Sequence, residues 1–343
     1  MIKHVKKLIS FVLCLCMMGV MLTGCSNVGN GKRIIRIATS QADTHPEYAG
    51  LETFQEYIEE NLGDKYEVQI YPNELLGAQK KVIELTQTGA IDFALVGTPN
   101  LENFADIYEI FSMPYLFTSE EAYHATMQDT EFMERIYEST DEAGFRVLTW
   151  YNAGSRSFYA TKPIHTPEDL KGLKIRVQES PASIAMANAF GAAASPMSFG
   201  EVYTAIQQGV INGAENNELA LTQNKHGEVA KYYFNNKHQM VPDVLVGNLK
   251  FLEGLDEEEQ EIFKEAARLS TEVELKEWDE QVQKEKKIAQ EDMGVEFLDV
   301  DVQLFKDAVI DVQQDMLDSN PDIQDLYDHI QTVNAKYEGK GDD

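Results

Sequence analysis

The chain has 343 residues and carries 58 acidic against 29 basic side chains, a formal net charge of -29. An excess of acid on this scale excludes nucleic acid and anionic lipid headgroups as partners recognised by charge. Three cysteines, Cys14, Cys16 and Cys25, all stand near the N-terminus, which excludes disulfide scaffolds, thiolate metal sites and cysteine nucleophiles from the rest of the chain. With so many carboxylates, no single Asp/Glu pair is diagnostic of catalysis.

Residues 1–25 open with Lys3, Lys6 and Lys7, run apolar from Ile9 to Leu22 and end Leu22-Thr23-Gly24-Cys25. The run is too short and wrongly flanked for a spanning helix and reads as a secretory signal peptide. Its ending resembles the bacterial lipobox, which implies cleavage before Cys25, lipidation of that residue and a polar tether over residues 26–32. Losing three lysines and no acid takes the net charge from -29 to -32. About 310 residues then remain, beyond the size at which a single core stops growing, so two lobes are expected.

Arg33 to Thr39 alternates as a strand, and Pro46 to Leu62 places Leu51, Phe54, Ile58 and Leu62 at helical spacing before Gly63. Tyr66, Val68 and Ile70 alternate as the next strand, Ala78 to Thr88 reads helical, and Ile91 to Val96 is a buried-type strand. This β-α-β-α-β order predicts a mainly parallel sheet. Helices are predicted over Glu120 to Gln128 and Glu131 to Ala143, with Gly144 as cap, before a strand from Phe145 to Tyr151 closes the first unit.

A second α/β unit follows. Thr166-Pro167-Glu168-Asp169 has the N-cap, N1 proline and early acids of a short helix, and Gly172 leads into the strand LKIRV. Ser180 to Phe190 and Phe199 to Gln208 read as helices, with Pro196 as a turn device between them; Val210 to Glu215 and Val244 to Phe251 read as extended segments. Glu257 to about Glu291 is helical in composition, roughly 50 Å long at 1.5 Å per residue. Ile262, Ala266, Leu269 and Val273 share one face, whereas Leu275, Trp278, Val282 and Ala289 fall on the opposite one. Either the helix changes packing partner midway or it kinks near Thr271. A final amphipathic helix after Asn320-Pro321 turns Ile323, Leu326, Ile330 and Val333 inward. The fold class is thus α/β, two-lobed in the manner of periplasmic binding proteins, with a long helix spanning both lobes. Lobe one takes residues 33–153 plus 242–280 and lobe two residues 154–241 plus 281–338.

Signatures of hydrolases, zinc proteases, P-loops and dinucleotide folds are missing, and the seven histidines have no metal-ligand spacing, so no cofactor or metal is called for. Arginine is more informative. Arg156 follows Tyr151-Asn152-Ala153-Gly154, and Arg176 lies on the face of its strand opposite Leu173, Ile175 and Val177. A guanidinium fork matches a carboxylate bidentately.

The runs YNAGSRSFYATKPIHTPEDLKGLKIRVQES and ASPMSFGEVYTAIQQGVINGAENN, with YPNELLGAQ, GAIDFALV and FSMPYLF, resemble the substrate-binding subunit of TRAP transporters, the DctP-like family. The likeness covers nearly the whole mature chain. It implies a protein, not an enzyme, that closes on an organic acid and hands it to an ion-gradient-driven permease of two membrane subunits. It also implies that Arg176 binds the carboxylate, that Arg156 is a second arginine contact and that Asn216 supplies an amide. The family usually has Asp where this chain has Asn212, which puts that side chain's role in loop geometry in question; Glu215 reads as structural, paired with a basic neighbour. GAENN, HGEVAKYY and KHQMVPDVLV look like members that bind sugar acids, particularly hexuronates. Candidate hydroxyl partners are His45, Glu74, Asn217 and His238, and Phe199 and Tyr159 are candidates to stack on a sugar face. Met197 and Phe199 read equally well as core.

The competing readings are a solute-binding lipoprotein of an ABC importer, an anchored hydrolase acting on glycans, and a ligand sensor feeding a membrane kinase. The address in every case is extracytoplasmic, with the chain held at the outer face of the cytoplasmic membrane by lipid on Cys25, or in a periplasm where an outer membrane exists.

Overall fold

The computed structural model describes residues 31–338; the expected signal peptide, Cys25 and residues 26–30 of the expected tether lie outside the described residues. In chain order the strands are β1 (Arg33–Thr39), β2 (Tyr66–Tyr71), β3 (Phe93–Gly97), β4 (Phe145–Tyr151), β5 (Ser155–Ala160) and β6 (Lys174–Val177). They continue as β7 (Ala193–Pro196), β8 (Gly213–Asn216), β9 (Tyr232–Met240), β10 (Asp243–Asn248) and β11 (Glu296–Leu298).

The first lobe is a five-stranded sheet of order β2-β1-β3-β10-β4. β1 pairs parallel with β2 and β3, the geometry that two helical crossovers impose. The first crossover, Pro46–Leu62, starts at capping His45 and buries Leu51, Phe54, Ile58 and Leu62 at the expected spacing. The second, Gln79–Thr88, stops at Gly89, whose φ of 72° favours glycine. β10 arrives from beyond the second lobe and inserts antiparallel between β3 and β4. Extended structure expected as far as Phe251 ends at Asn248, because the Asn248 side chain accepts from Phe251 N at 2.9 Å and starts a helical turn over Leu249–Glu253.

The second lobe is a six-stranded sheet of order β11-β9-β5-β8-β6-β7. β6 pairs parallel with β7 and β8, and β5 runs antiparallel to β8 and β9. Pro196, expected in a turn, ends β7 instead; an edge strand needs no N–H from it on its open side. Asn212 takes part in the local geometry, since its Oδ1 accepts from Lys174 N at 2.9 Å.

Aliphatic and aromatic side chains cover both faces of each sheet. Ile35, Ile37, Phe54 and Phe93 meet Phe263 on one face of the first, and Tyr108, Phe111, Tyr123 and Ile330 cover the other. Phe158, Ile175, Phe190 and Phe234 fill one face of the second sheet, and Tyr159, Val202, Ala214 and Tyr233 the other. Each such ring or branched chain contributes about 1.5–3 kcal/mol when fully buried.

The helix Glu257–Glu291 runs unbroken past Thr271, so the change of apolar face reflects a change of partner. Phe263, Ala266 and Ala267 join the first-lobe core, and Ala289 joins the second. Thr271 Oγ1 donates to Trp150 O at 2.8 Å, and the Tyr151 hydroxyl to Ser270 Oγ at 2.8 Å, which ties the middle of the helix to β4.

The C-terminal division differs from the expected one. Phe305 and Val309 belong to the second-lobe core, but Ile323, Leu326 and Ile330 pack with Tyr123, Met127 and Phe132 of the first. Asn334 locks this return, donating to Leu116 O at 2.9 Å and accepting from Thr118 N at 3.3 Å. Residues 281–338 therefore do not form one block with lobe two; the chain crosses back.

Candidate functional site

The carboxyl ends of β1, β2 and β3 face those of β6 and β8 across the gap between the lobes, the usual place for a ligand in parallel α/β sheets. Several contacts hold the lobes together there. Asn103 Nδ2 donates to Glu179 O at 3.1 Å, Ser180 Oγ reaches both Glu102 carboxyl oxygens at 2.9 Å, and Thr44 bonds Gln223.

Ile175 and Val177 of β6 point into the core, which turns Arg176 to the cleft side. Arg176 is 5% exposed, and its Nε donates to Met197 O at 3.0 Å. That is the only hydrogen bond its guanidinium makes among the described residues, so both terminal nitrogens remain without a protein acceptor. The guanidinium carbon lies 5.5 Å from the centre of the Phe199 ring, a cation–π distance. Burial pulls the Arg176 pKa below the ordinary arginine value, with the Glu215 charge opposing.

Arg156, expected as a second carboxylate contact, is already committed. Its Nε and Nη2 bond Glu215 Oε2 and Oε1 at 2.6 and 2.9 Å, Nη2 also reaches Glu215 O at 2.9 Å, and Nη1 reaches Asn216 Oδ1 at 2.7 Å. Burial raises the Glu215 pKa, but the Arg156 charge and a contact to His238 outweigh it and bring it down to about 2. Glu215 is thus structural, as read from the sequence. Asn216 Oδ1 is used by Arg156 and by Asn217 N, which leaves its amide nitrogen for other partners.

Three candidates are buried and engaged by partners within the protein. His238 is 0% exposed, stacked on Phe158 at 4.6 Å with its Nε2 at 3.5 Å from Glu215 behind the arginine. The Tyr159 ring is buried too, its hydroxyl bonded to His226 at 2.6 Å. Asn217 spends its side chain on Ala153 O at 2.8 Å and Leu219 N at 3.0 Å, stapling the crossing between the lobes. Phe199 lies under Arg176 and edge-on to His226.

From the first lobe, His45 caps its helix through Nδ1 at 3.3 Å from Glu47 N and meets Trp278 edge-on at 6.0 Å. Burial drops its pKa to about 3, so the imidazole is neutral. Glu74 holds a left-handed backbone, φ 56°, and crosses the gap to the Phe199-Gly200 backbone: a Cβ on Gly200 would stand 2.6 Å from its Oε2. Burial raises its carboxyl pKa, opposed by the Gly200 amide and the Arg176 charge. Gln79 braces this side, accepting from Gly97 N at 2.8 Å and Asn100 at 2.7 Å and donating to Ser40 at 3.0 Å.

Sequence reasoning missed Gln41, Glu47, Gln178 and Asp243. Gln178 was legible in principle, two residues beyond Arg176 on the same side of an extended segment. Glu47 reads as an ordinary acid complementing a helix N-terminus. Burial raises the Glu47 carboxyl well above the ordinary range, helped by the charges of Asp243 and Glu274, and lifts Asp243 to about 6. Polar atoms buried here without a protein partner include Glu74 Oε1, Gln178 Oε1, Glu274 Oε1, Ser155 Oγ and the Tyr123 hydroxyl. Each such group costs about 1–3 kcal/mol unless a polar molecule meets it. A groove of about 690 Å³ on the first lobe, lined by Met133, Tyr137, Trp150, Leu252 and Phe263, shares none of these residues, and its Arg146 and Arg268 are ion-paired. Among the described residues no group of three or more His, Cys, Asp or Glu is placed to hold a metal ion.

A buried arginine fork in a polar cleft between two α/β lobes defines a binding protein for a small anion. Residues 37–320 match the family described as bacterial extracellular solute-binding protein, family 7 (DctP), and the chain belongs to that family. Its members serve transporters, which sets the hydrolase reading aside and puts the protein outside the cytoplasm. An uncharacterized protein, YiiZ, of Salmonella typhimurium is 39% identical over 91% of this chain and 95% of its own length. A TRAP periplasmic solute-binding protein of Anaerococcus prevotii, solved with bound α/β-D-glucuronate, superposes with a TM-score of 0.88 at 51% identity, over 89% of this chain and 99% of that one. One from Sulfitobacter with bound β-D-galacturonate gives 0.84 at 32% identity, over 88% of this chain and 100% of its own.

Proposed function

We propose that this protein captures a hexuronate between its lobes and delivers it to the two membrane subunits of a TRAP-type permease. Arg176 pins the carboxylate through its terminal nitrogens, in charge-assisted bonds of about 1.5–3 kcal/mol each. Glu74, His45, Gln178 and the Asn216 amide take the hydroxyls, Phe199 carries the arginine, and Arg156 holds the floor of the cleft by fixing Glu215 and Asn216. Ligand held from both sides favours the closed arrangement of the lobes over an open one. Lipid on Cys25 keeps the protein beside its permease.

The observation that carries this reading is the Arg176 fork, buried and without an acidic partner within a chain of net charge -29. The hexuronates bound by the Anaerococcus prevotii and Sulfitobacter proteins support the choice of acid. A thermal-shift screen of residues 26–343 against hexuronates, aldonates, C4-dicarboxylates, sialic acid and neutral sugars tests it. Hexuronates are expected to stabilise the fold by about 2.7 kcal/mol at 100 times Kd. Equal stabilisation by neutral sugars, or none by any acid, overturns it.

A further inference from the structure

Two glycines mark where each lobe reaches into the other. Glu74, in the loop after β2, lies against Gly200 of the second lobe: a Cβ there would stand 2.6 Å from its Oε2 and 3.3 Å from its Cδ, and would meet nothing else within 4 Å. Gln178, just beyond β6, lies against Gly97 of the first lobe in the same way, with its Nε2 2.7 Å from where a Cβ would stand. Backbone conformation does not call for glycine at either position, since Gly97 has φ -69° and ψ 136° and Gly200 has no positive φ. What each position requires is the space that a side chain would fill.

The two reaching side chains share a second property. Glu74 Oε1 and Gln178 Oε1 are both buried and have no protein partner among the described residues. Each side chain thus sets one end of its polar group against the opposite lobe and leaves the other end, an acceptor for hydroxyl hydrogens, unmet. The loop that carries Glu74 is strained to do so. Asn73 and Glu74 both adopt φ 56°, and bonds from Asn73 N to Gln41 O at 2.9 Å and from Glu74 N to Thr39 O at 3.1 Å hold them there. Non-glycine residues keep such a conformation only where the surrounding structure imposes it, and such residues cluster at ligand sites. Phe199, the neighbour of Gly200, carries the Arg176 guanidinium at 5.5 Å, so the Glu74 contact lies beside the anchor.

We propose that Gly97 and Gly200 are positioning residues for the sugar: each admits a side chain from the opposite lobe, Gln178 and Glu74, to the placement in which the cleft presents a free oxygen of both to ligand hydroxyls. The pairing rests on the Arg176-anchored hexuronate reading. A methyl group at 200 must push the Glu74 carboxyl away from the Phe199-Gly200 backbone, and one at 97 must push the Gln178 amide. Both groups end movable chains, so the fold survives and the placement is lost.

The test is calorimetry with D-glucuronate on the purified full-length protein, arranged as two double-mutant cycles: Gly200→Ala with Glu74→Ala, and Gly97→Ala with Gln178→Ala. Each glycine substitution alone is expected to weaken binding about 10-fold or more and to leave the Tm of the unliganded protein within about 2 °C of the wild type. In the Glu74→Ala or Gln178→Ala protein, the same substitution should change affinity by less than about 2-fold. A glycine needed only for the fold would cost the same with and without the facing side chain. Unchanged affinity in both single glycine variants, or equal losses in both backgrounds, overturns the proposal. A Cβ at 97 also comes within 3.1 Å of Asp243 Oδ1, so if Gly97→Ala fails to fold the Gly200 cycle decides alone. The parent reading fails differently: D-glucuronate does not bind the wild type, or keeps its affinity in Arg176→Ala, and the pairing then falls with it.

Discussion

Arg156 and Arg176 look alike in the sequence, each a basic residue in a strand of an acidic chain, and their partners make them different. Arg176 has no protein acceptor at its terminal nitrogens among the described residues. Arg176→Ala should weaken D-glucuronate binding by about 100-fold or more in calorimetry, and Arg176→Lys by about 10-fold or more, because an ammonium cannot reproduce the planar fork. Arg156 neutralises buried Glu215, so Arg156→Ala leaves that carboxylate uncompensated. A loss of about 3–5 kcal/mol in denaturant unfolding is expected. Glu102 adds a pH dependence. Burial lifts its carboxyl to about 7 against its hydrogen bonds from Ser112 and Ser180. A carboxyl that binds its proton more tightly folded than unfolded stabilises the fold below about pH 4.5, and that contribution is lost as pH rises toward 7. Glu102→Gln should therefore show a smaller fall in Tm between pH 5 and pH 8 than the wild type.

At the scale of elements, the parts that read correctly are those whose burial follows one local period. Pro46–Leu62 and β4 match their expected bounds because Leu51, Phe54 and Ile58, or Phe145, Val147 and Thr149, point one way along a single partner surface. β9, YYFNNKHQM, was invisible as a strand since Asn236, His238 and Gln239 are buried through specific bonds that no hydropathy pattern carries. The crossing segment depends on Gly154. Its φ is +61°, and a Cβ there would stand 2.5 Å from Trp278 Cζ2 of the long helix. Gly154→Ala should cost about 1–3 kcal/mol in thermal unfolding from strain and overpacking, and Gly154→Val more.

At the scale of the molecule, Trp278 sits where the long helix, the crossing strand and His45 meet, and only one other tryptophan, Trp150, is present. If closure moves the lobes about this point, saturating D-glucuronate should change the intrinsic fluorescence of the wild type and leave Trp278→Phe nearly unchanged. The sequence by itself determined the α/β class, two lobes, a helix shared between them and the family, and it turned Arg176 to the side of its strand away from the core. These follow from local periodicity, chain length and motifs whose residues lie close together along the chain. Only the tertiary structure decided that Arg156 is spent on Glu215, that His238, Tyr159 and Asn217 hold the scaffold, and that the C-terminal helix returns to the first lobe. It also set Glu274 against the helix that carries Glu47, where a Cβ on Gly50 would stand 3.0 Å from Glu274 Cβ, though 227 positions separate the two acids in sequence. Whether a polar side chain serves the ligand or the fold depends on which groups distant segments bring within about 3 Å of it, and hydropathy and spacing carry no record of that.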